Sequence, residues 1–309
     1  MSDKDRLLVA IPSVGRSTLF ECVSSVWRQI AAVDAGECEV ELVVFLNNAL
    51  PQVEVQLATC GWCYQLVDAR GVADVRNHVL AFARARSMPF VLFFDDDQLP
   101  LAGWLDAFIA GIRSQPADVL LGPVEVSLPG SVPAWAADPT LFRAPPTATS
   151  DGPYEGYGFS GNTLLRLDTL ESCGLSFDDA LNSGGEDTYF FHQLRQEGAT
   201  FGWITEARAT ELQEPERLRF SGYLKRQYCK GRTARRLELR GVFDGQRSPG
   251  LRHSARLALA FVHIAISPLR RRGILPVVAG NCGQIAFVLG VVREFLAETT
   301  ERYAGAREI

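Results

Sequence analysis

Pro89-Phe90-Val91-Leu92-Phe93-Phe94-Asp95-Asp96-Asp97-Gln98-Leu99-Pro100 sets an apolar run of strand length against three consecutive carboxylates and a proline. An unbroken apolar run, without alternation, reads as a strand buried on both faces, as in the middle of a parallel sheet. Sheets of that kind bind ligands beyond the carboxyl ends of their strands. Three adjacent aspartates repel one another and call for a positive partner. Oxygen-only ligands favour Mg²⁺ or Mn²⁺ over zinc or copper, and Mg²⁺ commonly arrives with a substrate phosphate. On this stretch alone, a solvated acidic turn is the competing reading.

Working back towards the amino terminus, apolar strands alternate with helical patterns. Leu7 to Ile11 is a short buried strand closed by Pro12, and Ser17 or Thr18 can cap a helix with Leu19, Val23, Val26 and Trp27 on its apolar face. Glu39 to Leu46 is a second strand ending in Asn47-Asn48, Pro51 suits a first helical turn, and Tyr64 to Ala69 reads as a third strand. Gly71 opens a turn before the Ala-rich helical pattern of Asp74 to Arg86. After the aspartates come a helix over Gly103 to Ser114 and a strand over Val119 to Val126. This order predicts right-handed crossovers and a mostly parallel, Rossmann-like α/β sheet flanked by helices. Pro12 to Arg16, Asn47-Asn48, Arg70-Gly71 and Asp95 to Asp97 then surround one crevice.

Bulk composition is ordinary for a globular protein: 309 residues, 47% hydrophobic, 22% charged and a net charge of −5, which gives no global case for nucleic-acid binding. Met1 to Arg6 is polar and lacks the apolar core of a secretion signal, so a cytoplasmic chain is expected. Seven scattered cysteines suit reduced thiols. Cys60-Gly61-Trp62-Cys63 has redox-motif spacing but neither a second pair nor the strand-to-helix setting that redox use requires.

The second half is less regular. Residues 129–153 form a long Pro, Ala, Thr and Ser-rich loop, of a length that usually serves as a lid or binding loop. Asn162 to Leu167 reads as a strand, and Ser183-Gly184-Gly185-Glu186-Asp187 precedes a helix starting near Thr188. Carboxylates in a first turn also serve as ordinary capping residues. From Arg217 to Arg240, nine cations face one carboxylate, Glu238, which favours a phosphate-bearing partner over a salt-bridged surface helix. Two uncharged runs, Leu257 to Leu269 and Gly273 to Val292, flank Arg270-Arg271-Arg272 and are expected to form a membrane-embedded or interfacial hairpin, with a soluble helical subdomain as the alternative.

Ala10-Ile11-Pro12-Ser13-Val14-Gly15-Arg16, the strand ending in Asn47-Asn48, Gly71-Val72-Ala73-Asp74-Val75-Arg76-Asn77, Phe93 to Asp97 and Gly184-Gly185-Glu186-Asp187 occur in an ordered series. That series resembles the family-2 glycosyltransferases of the GT-A fold. The likeness spans roughly residues 6 to 235 and is greatest to the branch that builds bacterial exopolysaccharides, such as the succinoglycan glucosyltransferases. It extends to Trp104-Leu105, to Gly122-Pro123-Val124, and to Glu211 followed by Pro215-Glu216-Arg217.

The resemblance implies roles. Pro12, Ser13 and Arg16 would border the nucleotide, with Arg16 near its phosphates, and Arg76 would flank the same pocket. Asn48 stands where the family usually has an aspartate touching uracil; an Asn can still donate to and accept from a base. Asp95 would contact ribose or metal, Asp97 would bind the Mn²⁺ or Mg²⁺ directly, and Asp96 would lie on the donor side with no defined role. Asp187 would be the catalytic base, with Glu186 orienting the acceptor or serving as base if the pairing shifts by one. Glu211, near the usual position of a metal-binding histidine, is a candidate third ligand.

The implied activity is metal-dependent, inverting transfer of a sugar from a nucleotide sugar, expected to be UDP-linked, to a lipid-linked or growing glycan. The implied organisation is a GT-A catalytic domain over 1–214, with a nucleotide half over 1–127 and an acceptor half over 128–214. A basic, hydrophobic helical region over 215–309 would place the enzyme at the inner face of the cell membrane. Two alternatives stay open: a sugar-nucleotide nucleotidyltransferase, which would want a lysine-bearing glycine loop near the first strand, and a non-catalytic nucleotide-sugar-binding scaffold.

Overall fold

The computed structural model describes residues 5–33, 38–48, 50–142, 148–242 and 274–305, with side chains to 297. The run from Leu257 to Leu269, expected as half of an apolar hairpin, and the arginines at 270–272 lie outside the described residues. The chain divides into two units, Met1–Ser127 with Ala144–Leu212, and Leu128–Arg143 with Gln213–Ile309.

In the first unit the strands are β1 (Asp5–Ser13), β2 (Cys38–Asn47), β3 (Tyr64–Val67), β4 (Phe90–Phe94), β5 (Gln98–Pro100), β6 (Val119–Leu121), β7 (Val124–Ser127), β8 (Gly152–Pro153), β9 (Asn162–Arg166), β10 (Phe201–Trp203) and β11 (Ala209–Leu212). The helices are α1 (Leu19–Ala32), α2 (Pro51–Thr59), α3 (Val72–Ala85), α4 (Trp104–Ser114), α5 (Leu167–Cys173) and α6 (Glu186–Gln196). An eight-stranded sheet runs β3-β2-β1-β4-β9-β6-β10-β8, and a three-stranded sheet runs β5-β11-β7. β1, β2, β3 and β4 are mutually parallel, as are β6 and β10, whereas β9 enters antiparallel between β4 and β6. All five residues of β4 are buried, as its unbroken apolar run requires.

The single strand expected over Val119 to Val126 is two strands in two sheets. Gly122-Pro123 separates them, because proline lacks an N–H for the ladder. A Cβ at Gly122 would collide with the Ala207 carbonyl and sit 2.6 Å from Asn162 Nδ2. Asn162 is fully buried: its Oδ1 accepts from Trp104 Nε1 at 2.7 Å, and its Nδ2 donates to the carbonyls of Ala207 at 2.7 Å and Pro123 at 3.3 Å. One amide therefore ties α4, β9 and the approach to both sheets together.

The second unit contains α7 (Phe220–Leu239) and α8 (Ile274–Gly305). Three glycines let the two backbones approach: a Cβ on Gly231 would meet the Phe287 carbonyl, one on Gly290 the Tyr228 carbonyl, and one on Gly283 the Tyr223 hydroxyl. Trp135 and Phe142, from the first part of the long loop, cluster with Phe220 and Tyr223. The basic helix is more salt-bridged than its local composition implied. Glu294 on α8 accepts from Arg232 at 2.8 Å and Arg236 at 2.7 Å, and Arg235 faces Glu238 at 3.6 Å. The balancing carboxylate arrives from a helix far along the chain, where a local count cannot see it.

Asn162→Ala should cost about 3 kcal/mol or more, since it strands a buried indole N–H and two carbonyls. Urea denaturation reads this directly, and a loss below about 1 kcal/mol would mean that relaxation or water replaces the amide.

Candidate active site

β4 delivers its carboxylates through a tight turn: Asp95 N–H donates to the Gly161 carbonyl at 3.2 Å, and Gln98 N–H to the Asp95 carbonyl at 3.1 Å. Gly161 has no side chain because one would lie 2.6 Å from both Asp95 Oδ2 and Gln98 Nε2. Asp96 and Asp97 are buried, whereas the Asp95 side chain keeps 39% of its exposure. Ser13 Oγ donates to Asp96 Oδ2 at 2.5 Å and accepts from Gly15 N–H at 2.9 Å, so Asp96 holds the end of β1. Arg16 crosses the same turn, donating to Asp97 Oδ2 at 2.8 Å with its Nε 3.6 Å from Asp96 Oδ1.

A second cation enters from α3. Arg76 is buried and forms a close ion pair with Glu186, while its Nη2 lies 3.7 Å from Asp95 Oδ1. Gly184 and Gly185, at φ 120° and 93°, take left-handed conformations that turn the chain into α6 with Glu186 and Asp187 in its first turn. Glu186 is buried and Asp187 half-buried, and Asp187 Oδ1 accepts from Thr188 N–H at 2.6 Å.

The motif around Arg76 and the one around Glu186 are stapled together by residues that sequence reading passed over. Asn182 Oδ1 accepts from Ala73 N–H at 3.0 Å and Asp74 N–H at 3.4 Å, capping α3 from across the fold. A Cβ on Gly71 would lie 2.5 Å from that of Asn182, so this glycine makes room for the cap. Asn77 and Phe177 exchange two hydrogen bonds at 2.9 and 2.8 Å. Only the Gly71 to Asn77 motif carried any signal of this; nothing local marks Asn182.

The remaining expected residues are placed as follows. Pro12 lies in β1 past the last β1–β4 pair, Ala10 with Phe93. Asn48 adopts φ 52°, a region Asn tolerates, and its amide donates to Asn47 Oδ1 at 3.2 Å. Glu211 lies on β11 opposite Gln98. Among the described residues, no three His, Cys, Asp or Glu side chains form a group ready to hold a metal ion. A separate cavity of about 450 Å³, lined by Gln115, Tyr154, Arg195 and Phe201, opens near the amino ends of β6 and β10.

Charge in the crevice is unbalanced. Burial lifts the Asp95 carboxyl to about 7 against the pull of Arg76, and Asp97, Asp96 and Asp187 push it the same way. Partial exposure does not undo this, because a crevice wall hydrates a carboxylate less well than open water does. Burial likewise raises Glu186, opposed by Arg76. Glu186 Oε2, Arg76 Nε, Gln98 Oε1 and Ser160 Oγ are buried without hydrogen-bond partners. Oxygen ligands and excess negative charge fit a divalent cation that would be held by Asp97 and Asp95 and completed by substrate oxygens, as Mg²⁺ prefers.

The large mixed sheet flanked by helices is that of the GT-A fold. The mannosyltransferase PcManGT of Pyrobaculum calidifontis, solved with GDP-Man and Mn²⁺, matches with a TM-score of 0.63 and 15% identity over 95% of this chain and 88% of its own. TarS of S. aureus matches at 0.52 and 17% identity over 94% and 91%. The succinoglycan biosynthesis protein ExoM of Rhizobium meliloti is 30% identical over 172 residues, 55% of this chain. The chain spans about half, 53%, of that curated relative's length. No protein-family model matches the chain.

A carboxyl with its folded-state value raised from 3.8 to about 7 supports the fold fully below about pH 4 and loses that contribution as pH rises through 7. In chelator, Asp95→Asn should therefore melt level with wild type near pH 4 and above it at about pH 8. Parallel melting curves across that range would contradict the raised carboxyl.

Proposed function

We propose that the chain is a metal-dependent, inverting glycosyltransferase that moves a sugar from a nucleotide sugar, UDP-linked, to a hydroxyl of a lipid-linked or growing glycan. One observation carries the reading: Arg76 touches both Asp95 on the donor side and Glu186 beside the candidate base, so the two carboxylate sets share one crevice. The names of similar proteins, a succinoglycan biosynthesis protein and a mannosyltransferase solved with GDP-Man and Mn²⁺, support it.

Ser13, Pro12 and Asn48 lie at the ends of β1 and β2, where a nucleotide would bind, with Arg16 as the cation for its phosphates and Arg76 flanking the pocket. Asp97 and Asp95 would hold the divalent cation, which would supply Lewis-acid neutralisation of charge on the diphosphate leaving group. Glu186 is buried and committed to Arg76, so it positions that arginine rather than moving protons. Asp187 has one oxygen fixed by Thr188 and keeps Oδ2 to take the acceptor hydroxyl's proton as it attacks the anomeric carbon. Attack opposite the leaving group inverts that centre.

Attachment at the inner face of the cell membrane is assigned to the second unit. Leu275–Ala297 is long and apolar enough to cross a membrane by length and composition. Leu275, Leu289, Val292 and Leu296 fall on one exposed stripe of α8, and α7 contributes exposed Lys225 and Lys230. An apolar stripe with nearby cations suits an anionic lipid surface.

Screening nucleotide sugars for Mn²⁺-dependent nucleotide release, with Asp97→Ala as control, should find at least one donor; no release with any donor would favour the scaffold reading. Asp187→Asn should cut turnover by about 10²- to 10⁴-fold with donor binding intact, and near-normal transfer would remove Asp187 as base. The full chain should sediment with anionic vesicles, and Leu289→Gln, Val292→Gln and Leu296→Gln together should release it. Equal sedimentation of that variant would exclude the stripe.

A further inference from the structure

Resting on the metal-dependent reading above, we propose that Arg16 is a built-in counter-cation of the acidic turn, which yields Asp97 to a divalent cation only when a diphosphate is present to receive the guanidinium. In this structure the position a cation would need is contested by a side chain: Arg16 Nη1 is 2.8 Å from Asp97 Oδ2, and its Nε is 3.6 Å from Asp96 Oδ1. A divalent cation taking that oxygen competes with the guanidinium, because like charges at such short range repel.

The two partners differ in freedom. The Asp96 and Asp97 side chains are 7% exposed, whereas that of Arg16 is 35% exposed. The arginine backbone is held, its carbonyl accepting from Leu19 N–H at 3.2 Å at the start of α1, and Ser13 keeps Asp96 in place independently. Motion therefore falls to the Arg16 side chain, which pivots while the carboxylates stay. Arg76 does not share this role, since it is buried and tied to Glu186. A diphosphate gives the displaced guanidinium a bidentate anion of its own. Metal and nucleotide then bind cooperatively, and each must raise the other's affinity by the same factor.

The test uses the full chain and needs no turnover. Mn²⁺ binding is titrated by its electron paramagnetic resonance signal, alone and with UDP, in wild type, Arg16→Gln and Arg16→Lys. Arg16→Gln should bind Mn²⁺ alone about tenfold more tightly than wild type, and the gain on adding UDP should shrink by a similar factor. Arg16→Lys, which keeps a charge but loses the fork, should fall between them and serves alone if the glutamine variant does not fold. Loss of an arginine that merely braced the turn would weaken Mn²⁺ binding; unchanged or weaker binding by the variants overturns the proposal. Mn²⁺ binding in which wild type and variants show the same affinity without UDP and the same gain on adding it overturns this inference alone. Absence of Mn²⁺ binding to any of the proteins, with or without UDP, overturns the metal-dependent reading as well.

Discussion

The buried ion pair between Arg76 and Glu186 is the constraint around which the first unit is arranged. Removing two charges from water costs several kcal/mol per ion, and the pair's attraction offsets this only with good geometry. That geometry demands that α3 and α6, about 110 residues apart in sequence, meet at a fixed height. Asn182 capping α3, the Asn77–Phe177 exchange and the left-handed glycines before Glu186 all serve this alignment. Because Arg76 also reaches Asp95, the placement of the acidic turn is inherited from the same pair.

The three aspartates differ because their neighbours differ. Asp96 secures the end of β1 through Ser13, Asp97 is matched by Arg16, and Asp95 faces the crevice with its carboxyl raised. Three identical side chains in a row thus act as an anchor, an ion-paired carboxylate and a carboxyl raised at the crevice edge.

Much of the fold was legible because local patterns state it. Phe90 to Phe94 is β4 as read, since an unbroken apolar run has few other uses, and the strand ends hold the expected Asn47-Asn48 and Pro12 to Arg16. What escaped was non-local. Gly122 looks like a tolerable break in one strand until Ala207 and Asn162 press against it. Asn182 resembles any loop asparagine, and Glu294 is too distant in sequence to be matched with Arg232 and Arg236. Candidate site residues were found through motif order, whereas Glu186 gained its partner, and Asp96 its purpose, only in three dimensions.

The glycine seam between α7 and α8 determines what kind of contact holds the second unit together. Gly231, Gly283 and Gly290 hold the helices by backbone proximity, with Glu294 bridging two arginines at one end. Contacts of that sort depend on shape and dispersion rather than on expelling water, and small residues join helices inside lipid for the same reason. The pairing therefore rests on close fit, and a single added methyl group at Gly231 or Gly290 would press against the facing backbone and part the helices.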